Sequence, residues 1–203
     1  MFKMDTLGLI SKDRYLTTFF VDDDVFKSPF NLRSDEVKEF LIREDIACVS
    51  LRLCPRINYC YTMNVPMKAP TFLESKRLIW KWREASPGDW SYPMSLDGHL
   101  FKTEEILPLL KLLNYSNPNT MEGTLASAPF NIPHMICFDE AKIFNIPANK
   151  VQNVNGNRHG NMTAWEINGR FTRGGRLSLL KLLNKPDAIN NTACHQDVIL
   201  EWE

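Results

Sequence analysis

Residues 17–26 read Thr-Thr-Phe-Phe-Val-Asp-Asp-Asp-Val-Phe: a β-branched and aromatic run breaks into three consecutive carboxylates, Asp22, Asp23 and Asp24, and then returns to an apolar pair. Residues of the first kind favour a strand, and strand side chains alternate in direction. A strand over 16–21 is therefore predicted to deliver Asp22 and Asp24 to one side of its carboxyl end and Asp23 to the other. Carboxylates held side by side oppose each other's ionisation, and a hard divalent cation relieves the repulsion. The alternative is a solvated acidic turn after an edge strand.

The rest of the chain sets the class. With 203 residues, 44% hydrophobic and 24% charged, it is long enough for one domain, 1–203, around a buried core. Its 24 basic and 24 acidic side chains cancel, so the overall field argues for neither nucleic acid nor an anionic membrane, and partners must be sought in local sites. The amino terminus lacks a basic segment followed by a long apolar one, and no apolar run approaches bilayer length. The expectation is a cytoplasmic protein without a transmembrane segment. Cysteines 48, 54, 60, 137 and 194 form no C-x-x-C pair, and the spacing of six among the first three falls outside the common zinc spacings. Reduced, partly buried thiols are expected.

Element patterns alternate between α and β. A short helix is predicted over 2–11, with Phe2, Leu7 and Ile10 on one side. Ser34 is a candidate N-cap for a helix ending near Arg43, with Val37, Phe40 and Leu41 as its buried stripe. Residues 47–53 and 78–82 read as half-buried strands. Thr103 is a candidate cap for a helix that carries Ile106, Leu107, Leu110 and Leu113 at helical spacing. Residues 150–152 look β-like, and Val198, Leu200 and Trp202 alternate as a closing strand would. Prolines punctuate loops without dividing the chain.

A second dense patch, Gly88 to Phe101, puts Asp89, Asp97, His99 and three aromatics into a loop-rich stretch. Loops of this kind commonly carry function. Aromatic faces beside hydrogen-bonding acids suit a sugar ring, which makes Trp90 and Tyr92 candidate stacking residues; the alternative is that they fill the core beneath a loop.

Taken in order, Phe20-Val21-Asp22-Asp23-Asp24, Gly88-Asp89-Trp90-Ser91-Tyr92-Pro93, Ser95-Leu96-Asp97-Gly98-His99 and Asn117-Pro118-Asn119-Thr120-Met121-Glu122-Gly123 resemble bacterial glycosyltransferases of the GT-A, or nucleotide-diphospho-sugar transferase, fold. The resemblance runs over nearly the whole chain and implies an α/β fold, a mixed sheet flanked by helices. It implies an Mn2+ or Mg2+ ion bridging the phosphates of a nucleotide-sugar donor, and transfer of the sugar to a glycan or lipid-linked acceptor in polysaccharide or glycolipid assembly. By the same resemblance Asp24 is the direct metal ligand, and Asp22 with Asp23 contacts the donor or the metal's water shell. The Ser95–Phe101 segment, with Asp97, Gly98 and His99, contacts donor and acceptor, and Glu122 is the base that deprotonates the acceptor hydroxyl in inverting members. A late histidine that joins the metal is matched best by His159, with His195 as its rival and His99 and His134 as weaker candidates. Arg158 beside His159 suits a phosphate.

Two departures stand out. The family's usual acid pair is here Glu122 followed by Gly123. Only 21 residues precede Asp22, whereas each βαβ unit of a nucleotide-binding half takes roughly thirty. The expectation is a GT-A-like domain truncated at its amino end, without the strands that bind the base. The alternatives are an inactive carbohydrate- or partner-binding fragment of such an enzyme and a metal-dependent phosphoesterase. The latter would ordinarily need further dispersed ligands for a second metal.

Overall fold

The computed structural model describes residues 1–74, 76–150, 158–184, 192–196 and 200–203. In chain order its helices and strands are α1 (Phe2–Leu9), β1 (Leu16–Thr18), β2 (Asp24–Phe26), α2 (Asp35–Ile42), β3 (Ile46–Ser50), β4 (Tyr59–Cys60), β5 (Val65–Pro66) and β6 (Ile79–Lys81). There follow β7 (His99–Lys102), α3 (Thr103–Leu112), α4 (Pro118–Ser127), β8 (His134–Cys137), β9 (Ile143–Asn145), α5 (Ala164–Thr172) and α6 (Leu179–Leu183). The class is mixed α/β.

Five strands form one sheet in the order β1-β7-β3-β8-β6; β3 and β8 run parallel and the other neighbours antiparallel. The sheet is covered on both faces, and residues of β6, β7 and β8 divide between them with the period of two expected of strands, while an irregularity between Ile46 and Val49 shifts the alternation within β3. Ile46, Val49, Leu100, Ile79 and Ile136 pack with Val37 and Phe40 of α2. Cys48, Phe101, Trp80, Met135 and Cys137 pack with Ile106 and Leu110 of α3 and Leu125 of α4. Burial on both sides makes every residue of β3 buried, Ser50 included, where the sequence suggested a half-buried strand.

Of the two caps expected from the sequence, Ser34 forms and Thr103 does not. Ser34 Oγ accepts from Val37 N–H (3.4 Å) at the start of α2, although Leu41, predicted in its buried stripe, is 43% exposed. Asn117 and Thr120 form a capping box at α4, with Pro118 in the first turn. Thr103 is no cap: it is the buried first residue of α3, after Lys102, and its Oγ1 is hydrogen-bonded to Thr17 Oγ1 of β1 (2.8 Å).

The main correction concerns the acidic run. The strand predicted over 16–21 pairs with β7 only through Thr18. The chain then bends: Gly98 N–H donates to Phe19 O (2.9 Å), and a turn closes from Asp24 N–H to Val21 O (3.2 Å). Asp22 and Asp23 occupy this turn, as residues that tolerate tight turns do, and Asp24 opens the next strand, β2. Strand alternation is therefore not what orients the three carboxylates.

All five cysteines are free, and all are buried where partial burial was expected. Among the described residues no helix is long and apolar enough to cross a membrane. The β-type pattern at Val151 and Gln152 and the Val198 end of the closing strand lie outside the described residues; Trp202 makes a bridge with Leu177.

Candidate functional site

Sheet register brings three chain segments to one edge. Thr18 is opposite Leu100, Leu100 opposite Val49 and His99 opposite Ser50, so the carboxyl ends of β1 and β3 and the amino end of β7 finish together. The Asp22–Asp24 turn follows β1, Arg52 follows β3, and Asp97 with Gly98 precedes β7. Ligands of open α/β sheets gather at the carboxyl ends of parallel strands, and here that edge opens on a cleft of about 880 Å3. Asp22, Asp23, Asp97, Glu122, Arg158 and His159, all singled out in the sequence, line it. Arg14, Asn145, Lys150 and His195 line it as well.

Gly98 is the joint that makes the edge. Its φ is +64°, and a Cβ there would stand 2.1 Å from Ile143 Cδ1. Its N–H donates to Phe19 O and its carbonyl accepts from Leu51 N–H (3.0 Å), so it ties the end of β1 to the exit of β3. Its part in the site is to hold Asp97 at the cleft floor.

Asp97 is the hub beneath the cleft. Its Oδ2 lies 3.3 Å from His195 Nε2 and 3.7 Å from Arg52 Nη1, and the same Nη1 lies 3.1 Å from Asp89 Oδ1. Arg52 and Asp89 are buried, and a guanidinium in such a place stays charged and needs carboxylates around it. Burial alone would raise the Asp97 carboxyl, but the His195 hydrogen bond and then the charge of Arg52 outweigh it and hold it below the ordinary carboxylate range.

The three turn carboxylates are not equivalent. Asp22 is exposed in the cleft. Asp23 accepts from Asn145 Nδ2 (2.7 Å), and burial raises its pKa in spite of that bond. Asp24 pairs with Asn145 in the β2–β9 ribbon; its Oδ2 accepts from Val21 N–H (3.1 Å), while its Oδ1 is buried without a hydrogen-bond partner. Burial, and next the charge of Asp97, push the Asp24 pKa up to about 7. An orphaned carboxylate oxygen at a carboxyl with raised pKa, near a second acid, is the environment a divalent cation relieves. Among the described residues no three Asp, Glu, His or Cys side chains are grouped closely enough to enclose an ion. A cation here would have one or two protein carboxylates and would complete its shell from phosphate oxygens and water, the usual pattern for Mg2+. Asp97 lines the cleft, whereas Asp24, the ligand expected from the sequence, is not among its lining residues; these two are the carboxylates that would hold the ion.

His195 arrives through the β9 edge. Asn145 N–H donates to Cys194 O (2.9 Å) and Gln196 N–H to Asn145 O (2.8 Å), which lays 194–196 beside β9 and turns the imidazole toward Asp97. Its Nδ1 is buried without a hydrogen-bond partner. His159 also lines the cleft, its Nδ1 2.7 Å from Gly160 O. Arg158 stands over the Tyr61 ring (4.4 Å) and donates to Tyr59 Oη (3.3 Å) at the rim.

Glu122 faces the cleft from α4. Its Oε1 accepts from Leu96 N–H (3.0 Å), tying it to the segment that carries Asp97. Burial, and then Asp97, raise its pKa. Such a carboxylate is a stronger proton acceptor than a solvated one.

Three predicted substrate contacts lie elsewhere. Trp90 is fully buried; its Nε1 donates to Ile57 O (3.1 Å) and its ring meets Trp80 edge to face, so it offers no face to a sugar. His99 is also fully buried, with Nδ1 3.0 Å from Pro93 O, and burial lowers its pKa to about 3, which keeps it neutral. Tyr92 lines a separate depression with Trp82 and Phe130. An exposed ring that does line the cleft is that of Phe20, 41% exposed and 5.0 Å from the Phe26 ring, which belongs to a separate depression.

Sequence reasoning passed over Arg52, gave Asp89 no role beyond the patch from Gly88 to Phe101, and ranked His195 second. A lone arginine inside the apolar run Ala47–Leu53 was the available signal, because a buried guanidinium implies buried carboxylates nearby. Comparison with protein-family models, curated proteins and solved structures gives no match for this chain.

Proposed function

We propose that this chain is a metal-dependent glycosyltransferase that transfers a sugar from a nucleotide-diphospho-sugar to a hydroxyl of a glycan or lipid-linked acceptor, in the cytoplasm and within a GT-A-like fold. The observation that carries the proposal is the division of charge in one cleft. Asp22, Asp23, Asp97 and Glu122 supply the acids, while Arg14, Lys150 and Arg158 line the same space with positive charge. A metal–diphosphate needs both signs, carboxylates for the cation and basic groups for phosphate oxygens.

Asp24 and Asp97 would hold Mn2+ or Mg2+ at the acidic end; when bound, the cation neutralises charge that develops on the departing diphosphate. Arg158 and Lys150 bind and orient the phosphates. Glu122 takes the proton of the acceptor hydroxyl as its oxygen forms a bond to the sugar's anomeric carbon. The bond from that carbon to the phosphate oxygen breaks, and its electron pair leaves with the nucleoside diphosphate. Asp97, fixed between Arg52 and His195, positions the Leu96 amide that holds Glu122.

Nucleoside diphosphate release from UDP- and GDP-sugars, measured with Mn2+ and a mixture of glycan acceptors, tests the assignment of the base. Glu122→Gln is expected to lower kcat by roughly a hundredfold to ten-thousandfold with donor affinity retained. Unchanged turnover in that variant would remove Glu122 from the mechanism.

A further inference from the structure

The two edges of the five-stranded sheet are treated differently. At the β6 edge the chain covers itself, with Leu73 N–H donating to Ile79 O (2.8 Å). At the β1 edge it does not. Tyr15 O accepts from Thr103 N–H (2.9 Å), Thr17 lies opposite Phe101, and Phe19 O accepts from Gly98 N–H, so these three residues direct their main-chain groups toward β7. Main-chain groups alternate in direction along a strand, and those of Leu16 and Thr18 therefore point away from β7. Among the described residues no hydrogen bond reaches them from that outer side. The strand also carries no charge and no proline, two usual means of blunting an exposed edge.

That bare edge is a wall of the cleft. All three residues of β1 line it, and so do Phe19 and Phe20 after them, whereas among the described residues none of β3 or β7 does. A cavity over one face of a sheet touches alternate residues of a strand. Contact with consecutive ones means that the cavity meets β1 edge-on, where the free amide and carbonyl groups lie. Helix α1 supplies a second wall. It buries none of its own residues, is tied to the end of α3 by Lys3 Nζ donating to Lys111 O (2.8 Å), and gives Thr6, Leu9 and Ile10 to the cleft. The first turns of α4 add Pro118 and Met121.

We infer that the β1 edge is a binding site for an extended peptide segment of a partner protein, which adds to the sheet as a further strand. Free main-chain donors and acceptors at strand spacing are matched by the main chain of another strand, a repeat that neither a sugar nor a lipid offers. The cleft admits a lone segment, because α1 and α4 stand beside the edge and bar the broad edge of a second folded copy. Alternation sets the sequence such a segment needs. Phe2, Ile10 and Phe19 pack on the α3 side of the sheet, so side chains of the added strand that point to that side meet apolar groups. The segment is therefore one with an apolar residue at every second position. The inference goes beyond the transfer reaction and does not rest on it.

A labelled, capped peptide that alternates Val and Thr between Lys ends tests it by fluorescence anisotropy, without metal or nucleotide, alongside amide hydrogen exchange of the chain followed by NMR. The peptide is expected to bind and to slow exchange of the Leu16 and Thr18 amides by roughly tenfold or more. The same peptide N-methylated at its central residues keeps its side chains, loses its main-chain donors, and is expected not to bind. Thr18→Pro removes an amide hydrogen that no partner holds in the free protein, at an edge position of the kind that accepts proline, and is expected to abolish binding. Leu9→Asn changes an exposed side chain of α1 and is expected to weaken binding roughly tenfold, with circular dichroism unchanged. No binding, binding retained by the N-methylated peptide, or unchanged exchange at Leu16 and Thr18 would overturn the inference, and these readouts need no variant to fold. So would a dimer in light scattering that Thr18→Pro dissociates, since a second copy would then occupy the edge.

Discussion

Replacing Asp24 by asparagine is expected to stabilise the metal-free protein at neutral and higher pH, although an acidic side chain of the turn is lost. The Asp24 pKa is raised from 3.8 to about 7 by burial and by Asp97. A raised carboxyl contributes stability that is complete below the unfolded value and is lost as pH rises through the folded one, because the unfolded chain ionises first. The window is therefore pH 4 to 7. A shift of about three units corresponds to roughly 4 kcal/mol as an upper bound, and solvent relaxation around a partly accessible group reduces it to about 2–4 kcal/mol. Asparagine keeps an oxygen for the Val21 amide and removes the charge. His99 acts in the opposite sense: burial lowers its pKa from 6.5 to about 3, so its contribution is present above pH 6.5 and disappears as pH falls toward 3. The two terms offset each other in the parent between pH 4 and 6.5, and the difference between variant and parent isolates Asp24. Urea unfolding in EDTA from pH 4 to 8 should give a stability difference in favour of Asp24→Asn that grows by about 2–4 kcal/mol, a midpoint shift of roughly 1–2 M for an m-value near 2 kcal/mol/M. A difference that stays flat, or that turns against the variant as pH rises, would refute the raised pKa and with it the case for Asp24 as a latent cation ligand.

Two further substitutions probe the scaffold under the cleft. Gly98→Ala is expected to destabilise by about 2–4 kcal/mol, since it combines a left-handed backbone with a Cβ aimed at Ile143; adding Ile143→Val, which deletes the clashing Cδ1, should recover the steric part in chemical denaturation and leave the backbone part. Arg52→Met should cost about 3–5 kcal/mol by leaving buried carboxylates without their cation, and a second change, Asp89→Asn, should recover part of that loss.

How much could be read from the chain follows from what each signal depends on. Local signals held in part: Ser34 caps a helix, and Val37, Phe40, Ile106 and Leu110 are buried at helical spacing, but Thr103 is no cap. The order of the acidic turn, the Ser95–His99 segment and Glu122 was legible too, and the fold brings Asp22, Asp23, Asp97 and Glu122 to one cleft. The direction of individual side chains was not. An apolar run extending to Val21 looks like strand, yet pairing ends at Thr18, where β7 gives way to the Gly98 turn. Trp90 and Tyr92 looked alike in an irregular segment, and nothing local tells a ring that fills the core from one that faces a ligand. The Arg52–Asp89–Asp97–His195 network joins positions far apart in sequence, and only the register of the sheet and the β9 edge brings them together.

The central claim is that the acidic turn serves a metal-bound diphosphate. Calorimetric titration of the chain with UDP, GDP and inorganic pyrophosphate, with and without Mn2+, and of Asp24→Asn under the same conditions, tests it most directly. Binding is expected with Mn2+ present, to disappear in EDTA, and to be lost or strongly weakened in the variant. Binding that is independent of metal, or equal in Asp24→Asn and the parent, would contradict the claim.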